Sequence, residues 1–258
     1  MSSVVESKVE NQIGHLILNR PEKLNAISRQ VVEEAIACLD EHTENPNVKA
    51  IILSGNGRSF CAGGDIETMK YISGTAEAAE WMDFVTGLTK KIMDIDKYVI
   101  AAVHGFAAGA GFSLSLAADF IVAEKDAKFA LSFSNIGLIP DLGLIKTLSE
   151  RLSPNLAKEW ISSGKIITTE EAASFGLINR IAKGGVMEEA IEFADFIVNG
   201  PGLANKYVKY LVNHVGTLDK DTAFKQESLI QALLLQTKDH QEGVTAFYEK
   251  RKPTFLGK

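Results

Sequence analysis

The chain has 258 residues, a formal net charge of −6, 46% hydrophobic and 23% charged residues, values that suit a soluble globular protein with a sizeable core in one or two domains. The acidic balance argues against general nucleic-acid binding, and only Lys250-Arg251-Lys252 is locally basic. Two cysteines, Cys38 and Cys61, make neither a disulfide framework nor a paired metal motif, so a reduced, cytoplasmic setting is expected. No apolar run approaches 18 residues and the first ten lack the apolar stretch of a secretory leader, so neither a membrane span nor an export signal is expected.

In chain order, residues 8–19 read as a hairpin turning around Asn11 to Gly14. From Ser28 to about Glu44 the residues Val31, Val32, Ala35, Ile36 and Leu39 recur at helical spacing, with Ser28 as N-cap. Lys49–Leu53 and Tyr98–Val103 read as short buried strands. Between them Trp81, Phe84, Val85 and Leu88 form an apolar stripe on a core-facing helix. A helix follows over 109–118, then short strands at 120–123 and 128–131. After Asp141 the pattern turns helical, over 142–152, 154–163, 169–175, 187–198, 201–213, 219–236 and 239–250, punctuated by glycine and Gly200-Pro201. The alternation of strand, helix and strand predicts an α/β fold with crossover connections, with the sheets in the N-terminal two-thirds and helix alone in the last third.

Two glycine-rich segments stand out, Ser59-Phe60-Cys61-Ala62-Gly63-Gly64-Asp65-Ile66 and His104-Gly105-Phe106-Ala107-Ala108-Gly109-Ala110-Gly111-Phe112. Each follows a strand and leads into a helix. Small residues there let a ligand approach the backbone, and a helix start leaves N–H groups free for an anion or a polarised oxygen. Tight strand–helix packing explains either segment alone; two in one chain favour a ligand site. Neither is a P-loop, and Gly105, Gly109 and Gly111 do not have dinucleotide-fingerprint spacing.

These segments resemble the enoyl-CoA hydratase/isomerase, or crotonase, family. The resemblance runs from Asn19-Arg20-Pro21-Glu22-Lys23-Leu24-Asn25-Ala26 through both glycine-rich segments to Gly164-Lys165-Ile166, Gly176-Leu177-Ile178-Asn179-Arg180 and Phe247–Phe255. It implies a spiral of repeated ββα units with a helical C-terminal trimerisation region, divided as a core over 1–195 that carries the site and helices over 196–258. It also implies an acyl-CoA thioester as substrate, coenzyme A being part of that substrate and not a separate cofactor, and a homotrimer or dimer of trimers. The amides of Gly64 and Ala110 would bind the thioester oxygen; Ala110 stands where many members have glycine. Coenzyme A contacts would come from Lys23, Leu24, Ala26, Ala62, Asp65, Ile66 and, near the C-terminus, Lys252. Two of these keep a plain alternative: Asp65 as a helix cap and Lys252 as a solvated terminal charge. Glu67 is acidic where many relatives carry a base.

The resemblance also bears on the reaction. Hydratases of the family hold and activate water with two glutamates, and the matching positions here are Ser113 and Phe133. A carboxylate stands eight residues later, in Asn135-Ile136-Gly137-Leu138-Ile139-Pro140-Asp141, where some isomerases of the family place their acid–base residue. The expected activity is therefore a double-bond shift with Asp141 moving the proton. The alternatives are a hydratase with a displaced base and a non-catalytic binder of CoA thioesters. Asp141 could otherwise simply cap the next helix. His104 reads as a turn residue, the other histidines as surface or core, and no metal site is expected. Gly111-Phe112-Ser113-Leu114-Ser115 lacks the nucleophile-elbow pattern of a serine hydrolase.

Overall fold

A computed structural model describes residues 3–258; Met1 and Ser2, which fall within the expected core region 1–195 and the stretch read for an export signal, lie outside the described residues. The expected hairpin forms from β1 (Val5–Glu10) and β2 (Ile13–Leu18), starting three residues earlier than its hydrophobic pattern suggests. Its two-residue turn puts Asn11 and Gln12 at φ 49° and 65°, the left-handed pair that matches strand twist. Helix α1 (Arg29–Glu44) starts where expected, with the Ser28 hydroxyl accepting from the Val31 amide. Strands β3 (Ala50–Gly55) and β4 (Tyr98–Val103) run parallel beside β2, and β6 (Phe120–Ala123) and β9 (Arg180–Ile181) complete a six-stranded sheet in the order β1-β2-β3-β4-β6-β9. Both faces of β3 and β4 are covered, which is why they read as unbroken apolar runs.

A second, smaller sheet joins β5 (Phe106–Ala108), β7 (Lys128–Ala130) and β8 (Ile166–Thr168). Isolated parallel bridges extend its pattern, Cys61 to Ala107 and Ile27 to Gly64. The chain therefore winds as a spiral. Each turn gives a long strand to the large sheet, a short extended piece beside it, and then a helix: β2, Ile27 and α1; β3, Cys61–Gly64, then α2 (Ile66–Met69) and α3 (Gly74–Asp94); β4, β5 and α4 (Ala110–Ala117); β6, β7, then α5 (Leu144–Arg151) and α6 (Pro154–Ser163). Strands β5, β8 and β9 were not anticipated. At two or three residues they are too short for alternation to show, and β9 corrects the expectation of helix alone in the last third.

The stripe on α3 faces the core as expected: Trp81, Val85 and Leu88 are buried, and Phe84 packs against the same cluster. The other face of the large sheet is covered by α8 (Val186–Phe193) and α9 (Asp195–Val198), which follow α7 (Thr169–Ser174). They are two helices where one was expected over 187–198. The break at Ala194 lets Phe193 and Phe196 both meet Phe120 edge-on, at 5.4 and 5.8 Å.

Helices α10 (Gly202–His214), α11 (Lys220–Leu234) and α12 (Lys238–Glu249) end the chain. Lys209 on α10 is buried; its ammonium donates to Asp119 at 2.8 Å and to the carbonyls of Ile92 and Lys97, and Asp119 also accepts the Val99 amide. The last residues fold back, the Leu256 and Gly257 amides donating to Asp239. Large apolar side chains stay exposed here, among them Phe224, Leu229, Leu233 and Phe247. Among the described residues no helix is long and apolar enough to cross a membrane.

Candidate active site

The two glycine-rich loops lie side by side. The amides of Phe60 and Cys61 donate to His104 and Phe106 carbonyls, and Ala108 donates back to Cys61 at 2.9 Å. Glycine is required where the backbones touch. Gly105 turns the chain out of β4 at φ 55°, and any side chain at Gly111 would collide with the Cys61 carbonyl. On its outer side the first loop runs parallel to residues 24–27: Ala62 donates to Leu24, Ile27 to Gly63 at 2.8 Å, and Asp65 to Ile27 at 2.9 Å.

That ladder decides which way Gly64 faces. The Gly63 carbonyl and the Asp65 amide turn toward Ile27, so the Gly64 N–H, one position between them, turns away. On that side lies the second loop: a methyl group placed on Gly63 would stand 3.6 Å from the Ala110 nitrogen. The Gly109 amide is taken by Ala130 at 2.9 Å, and Ala110 is the first residue of α4. Neither the Gly64 nor the Ala110 amide donates to a protein acceptor among the described residues. Ala110 is not among the left-handed residues, so its side chain is no obstacle to the position it takes.

Helix α4 buries all eight of its residues. The Ser113 hydroxyl turns back to the Gly109 carbonyl at 3.4 Å, and Phe133 is buried, its ring near Gly109. No carboxylate therefore stands at either position. Asp141 heads the turn into α5, which packs on α4, and its neighbours Leu142 and Leu144 share one apolar cluster with Ala110, Phe112 and Phe133. Asp141 does not cap α5: the cap position is Gly143, with no side-chain bond. Its Oδ1 is buried with no hydrogen-bond partner, and burial pushes the carboxyl up to about 6, against a weaker opposing bond from its own amide. The next residue, Leu142, is a buried leucine at φ 52°, a conformation that costs about 1–3 kcal/mol and persists because its surroundings enforce it.

Of the residues expected to meet coenzyme A, Leu24, Ala26 and Ala62 lie along the two paired segments, and Ile66 is exposed at the start of α2. The Asp65 side chain is engaged inside the protein. It pairs with Arg20 at 3.0 Å, both side chains mostly buried, and accepts the Glu67 amide, which is the helix-cap alternative for this residue. Arg20, whose role sequence reading missed, also donates to the Ala26 carbonyl and so ties the two segments together. Lys23 is exposed and paired with Glu67 at 2.9 Å, which raises its pKa. Lys252 lies on the tail after α12 beside the Arg251–Glu242 pair and has no hydrogen bond or ion pair to the two loops among the described residues. His104 bonds the Gly57 carbonyl at 3.0 Å, a turn role.

Comparison with known proteins places the chain in a family. The family described as enoyl-CoA hydratase/isomerase matches residues 8–258. The chain belongs to that family. It is 32% identical over 263 residues to a 1,2-epoxyphenylacetyl-CoA isomerase of Escherichia coli (strain K12), spanning all of both chains. It is also 32% identical over 251 residues to a crotonyl-CoA hydratase of Syntrophomonas wolfei, spanning 96% of each. The crystal structure of an enoyl-CoA hydratase from Polaromonas sp. JS666 superposes with a TM-score of 0.94 at 31% identity, covering 97% of this chain and 99% of that one. The fold is the crotonase spiral, and the family is one of enzymes; relatives bear both hydratase and isomerase names.

Proposed function

We propose that this chain is a CoA-thioester isomerase that shifts a double bond through an enolate held by the Gly64 and Ala110 amides, with Asp141 as the acid–base residue. The observation that carries the reading is the buried Asp141 Oδ1 with no hydrogen-bond partner, in a chain whose positions 113 and 133 hold a serine and a phenylalanine. In a 3-enoyl-CoA, ionised Asp141 takes a proton from C2. Negative charge moves onto the thioester oxygen, where two preorganised amides lower the barrier; one such donor is worth roughly 2.7–4 kcal/mol. The α4 N-terminus adds its positive dipole end. Asp141, now protonated, returns the proton at C4, so one group serves both steps. A carboxyl titrating near 6 suits this task at neutral pH.

The thioester's coenzyme A portion would lie along Lys23, Leu24, Ala26, Ala62, Asp65 and Ile66, with Lys252 supplied from the C-terminal region. The exposed apolar side chains of α11 and α12 favour self-association, as a trimer or dimer of trimers. The hydratase names among the relatives keep water addition by a displaced base as the second reading. The test is Asp141→Asn. Isomerisation of a 3-enoyl-CoA is expected to fall by about 10²–10⁴ while CoA-ester binding persists, and an unchanged rate would refute the assignment. Water addition to a 2-enoyl-CoA by the wild-type chain at an enzymatic rate would favour the second reading.

A further inference from the structure

Between Asp141 and helix α5 the chain makes a turn that one of its residues does not favour. The Leu144 amide donates to the Asp141 carbonyl at 3.0 Å, closing a four-residue turn whose central residues, Leu142 and Gly143, stand at φ 52° and 84°. Turns left-handed at both central positions are built from Asn-Gly or Gly-Gly pairs, because a Cβ in that region presses on the following carbonyl oxygen. Gly143 fits this rule and Leu142 breaks it. What holds Leu142 there is its side chain, which is 5% exposed and belongs to the same apolar cluster as Ala110, Phe112 and Phe133. Leu144 is fully buried, so the chain is pinned on both sides of the exposed Gly143.

An aspartate side chain readily accepts from the amide two residues on, which here is Gly143. The Gly143 amide has no protein acceptor among the described residues, and Asp141 Oδ1 is buried without a donor. We propose that Leu142 is a positioning residue: its buried side chain enforces the left-handed turn and so withholds the Gly143 amide from the Asp141 carboxyl. The inference rests on the reading of Asp141 as the acid–base residue. A carboxylate that gains a backbone amide is stabilised in its charged form and becomes a weaker base. No neighbouring charge takes over that control. Helix α4 and residues 134–140 carry no ionisable group; on α5, Lys146 and Glu150 pair with each other in solvent, and Arg151 donates to the Leu116 carbonyl at the far end of α4.

The experiment compares wild type with Leu142→Val, Leu142→Met and, as a control, Leu148→Val, which takes the same methylene from the same apolar cluster within α5. Valine, branched at Cβ, resists the left-handed backbone, whereas methionine keeps leucine's reach without that branch. Each change is small enough to keep the fold. Two quantities are followed against pH: the carboxyl-carbon NMR signal of Asp141, assigned by its absence in Asp141→Asn, and kcat for isomerisation of a 3-enoyl-CoA. In wild type, Leu142→Met and Leu148→Val both are expected to have midpoints at about 6. In Leu142→Val both should move down toward about 4, the ordinary carboxylate value, with kcat lowered at neutral pH and KM unchanged. An NMR midpoint that stays at about 6 in Leu142→Val, or moves equally in Leu148→Val, would overturn the inference whatever the rates do. An NMR midpoint that falls while the rate profile stays in place would uphold the hold of Leu142 on the carboxyl and refute Asp141 as the base.

Discussion

The loop from Ser59 to Asp65 opens into a helix of four residues that buries nothing, whereas the loop from His104 to Gly109 opens into α4, every residue of which is buried. The two loops share backbone hydrogen bonds and present neighbouring amides, yet their support differs. The second is locked by packing: Gly111 touches a backbone carbonyl that cannot yield, and the tilted rings of Phe112 and Phe129 pack against each other behind it, centroids 5.2 Å apart. The first is held by the ladder to residues 24–27 and one ion pair, and the atom over Gly64 is the tip of a flexible chain. On the function proposed above, a site built this way keeps one donor fixed and lets the other side accommodate the substrate.

The largest expected effect asks whether chemistry belongs to the locked side. Asp141→Asn should lower kcat/KM by about 10²–10⁴, the usual weight of a positioned acid–base group, with CoA-ester affinity little changed in direct titration. In the wild type the same group predicts that kcat/KM falls as pH drops below about 6, where the base is protonated.

The next contrast applies one substitution to both loops. Gly111→Ala meets the Cys61 carbonyl and should cost about 3 kcal/mol or more, lowering Tm by roughly 6–12 °C. Gly64→Ala meets only the Met69 methyl and should shift Tm far less. Equal losses in the two variants would erase the distinction between locked and yielding sides. Cutting the first loop's anchor with Arg20→Ala should then cost about 1.5–3 kcal/mol, the value of a hydrogen bond to a charged group, measurable by urea denaturation.

Asp141→Asn also predicts a gain. The folded carboxyl keeps its proton up to about pH 6, whereas in the unfolded chain it ionises near pH 4. The wild type therefore has its full stability below about pH 4 and loses part of it as pH rises through about 6. At pH 8 the variant should be more stable than wild type by about 1–2 kcal/mol, less than the whole shift implies because the side chain is only half-buried, and the gap should close at pH 4. The smallest effect concerns the exposed Lys23–Glu67 pair. Glu67→Gln should leave Tm unchanged, and any change in KM for CoA esters should shrink as salt is raised.

What could be read in advance follows from how far apart the interacting residues lie in the chain. Helix α1 announced itself through Val31, Val32, Ala35 and Leu39 and the Ser28 cap, all within about three turns of one helix. Strands β3 and β4 were legible because continuous burial leaves continuous apolar residues. The loops were legible as glycine clusters. Their contact was not, since Gly111 and the Cys61 carbonyl are fifty residues apart and only the spiral winding joins them. The same holds for Arg20 and Asp65. Asp141 could be named, but the choice between capping and a free carboxyl turned on Leu142 adopting a left-handed backbone, which nothing about a leucine signals.

At the foot of the large sheet, away from the paired loops, Asp119 accepts at once from the Lys209 ammonium and from the Val99 amide of β4. All the residues assigned to proton transfer and oxygen binding precede position 142, so a fragment without the last helices would still contain them. It would also leave Asp119 buried without its ion-pair partner, at the point where two central strands begin. The carboxylate would have to take up a proton or drag water inward, and the strands that carry both loops would lose their footing. The strands that carry the paired loops at one end of this molecule thus rest on a charge neutralised at the other, by a lysine supplied from beyond residue 200.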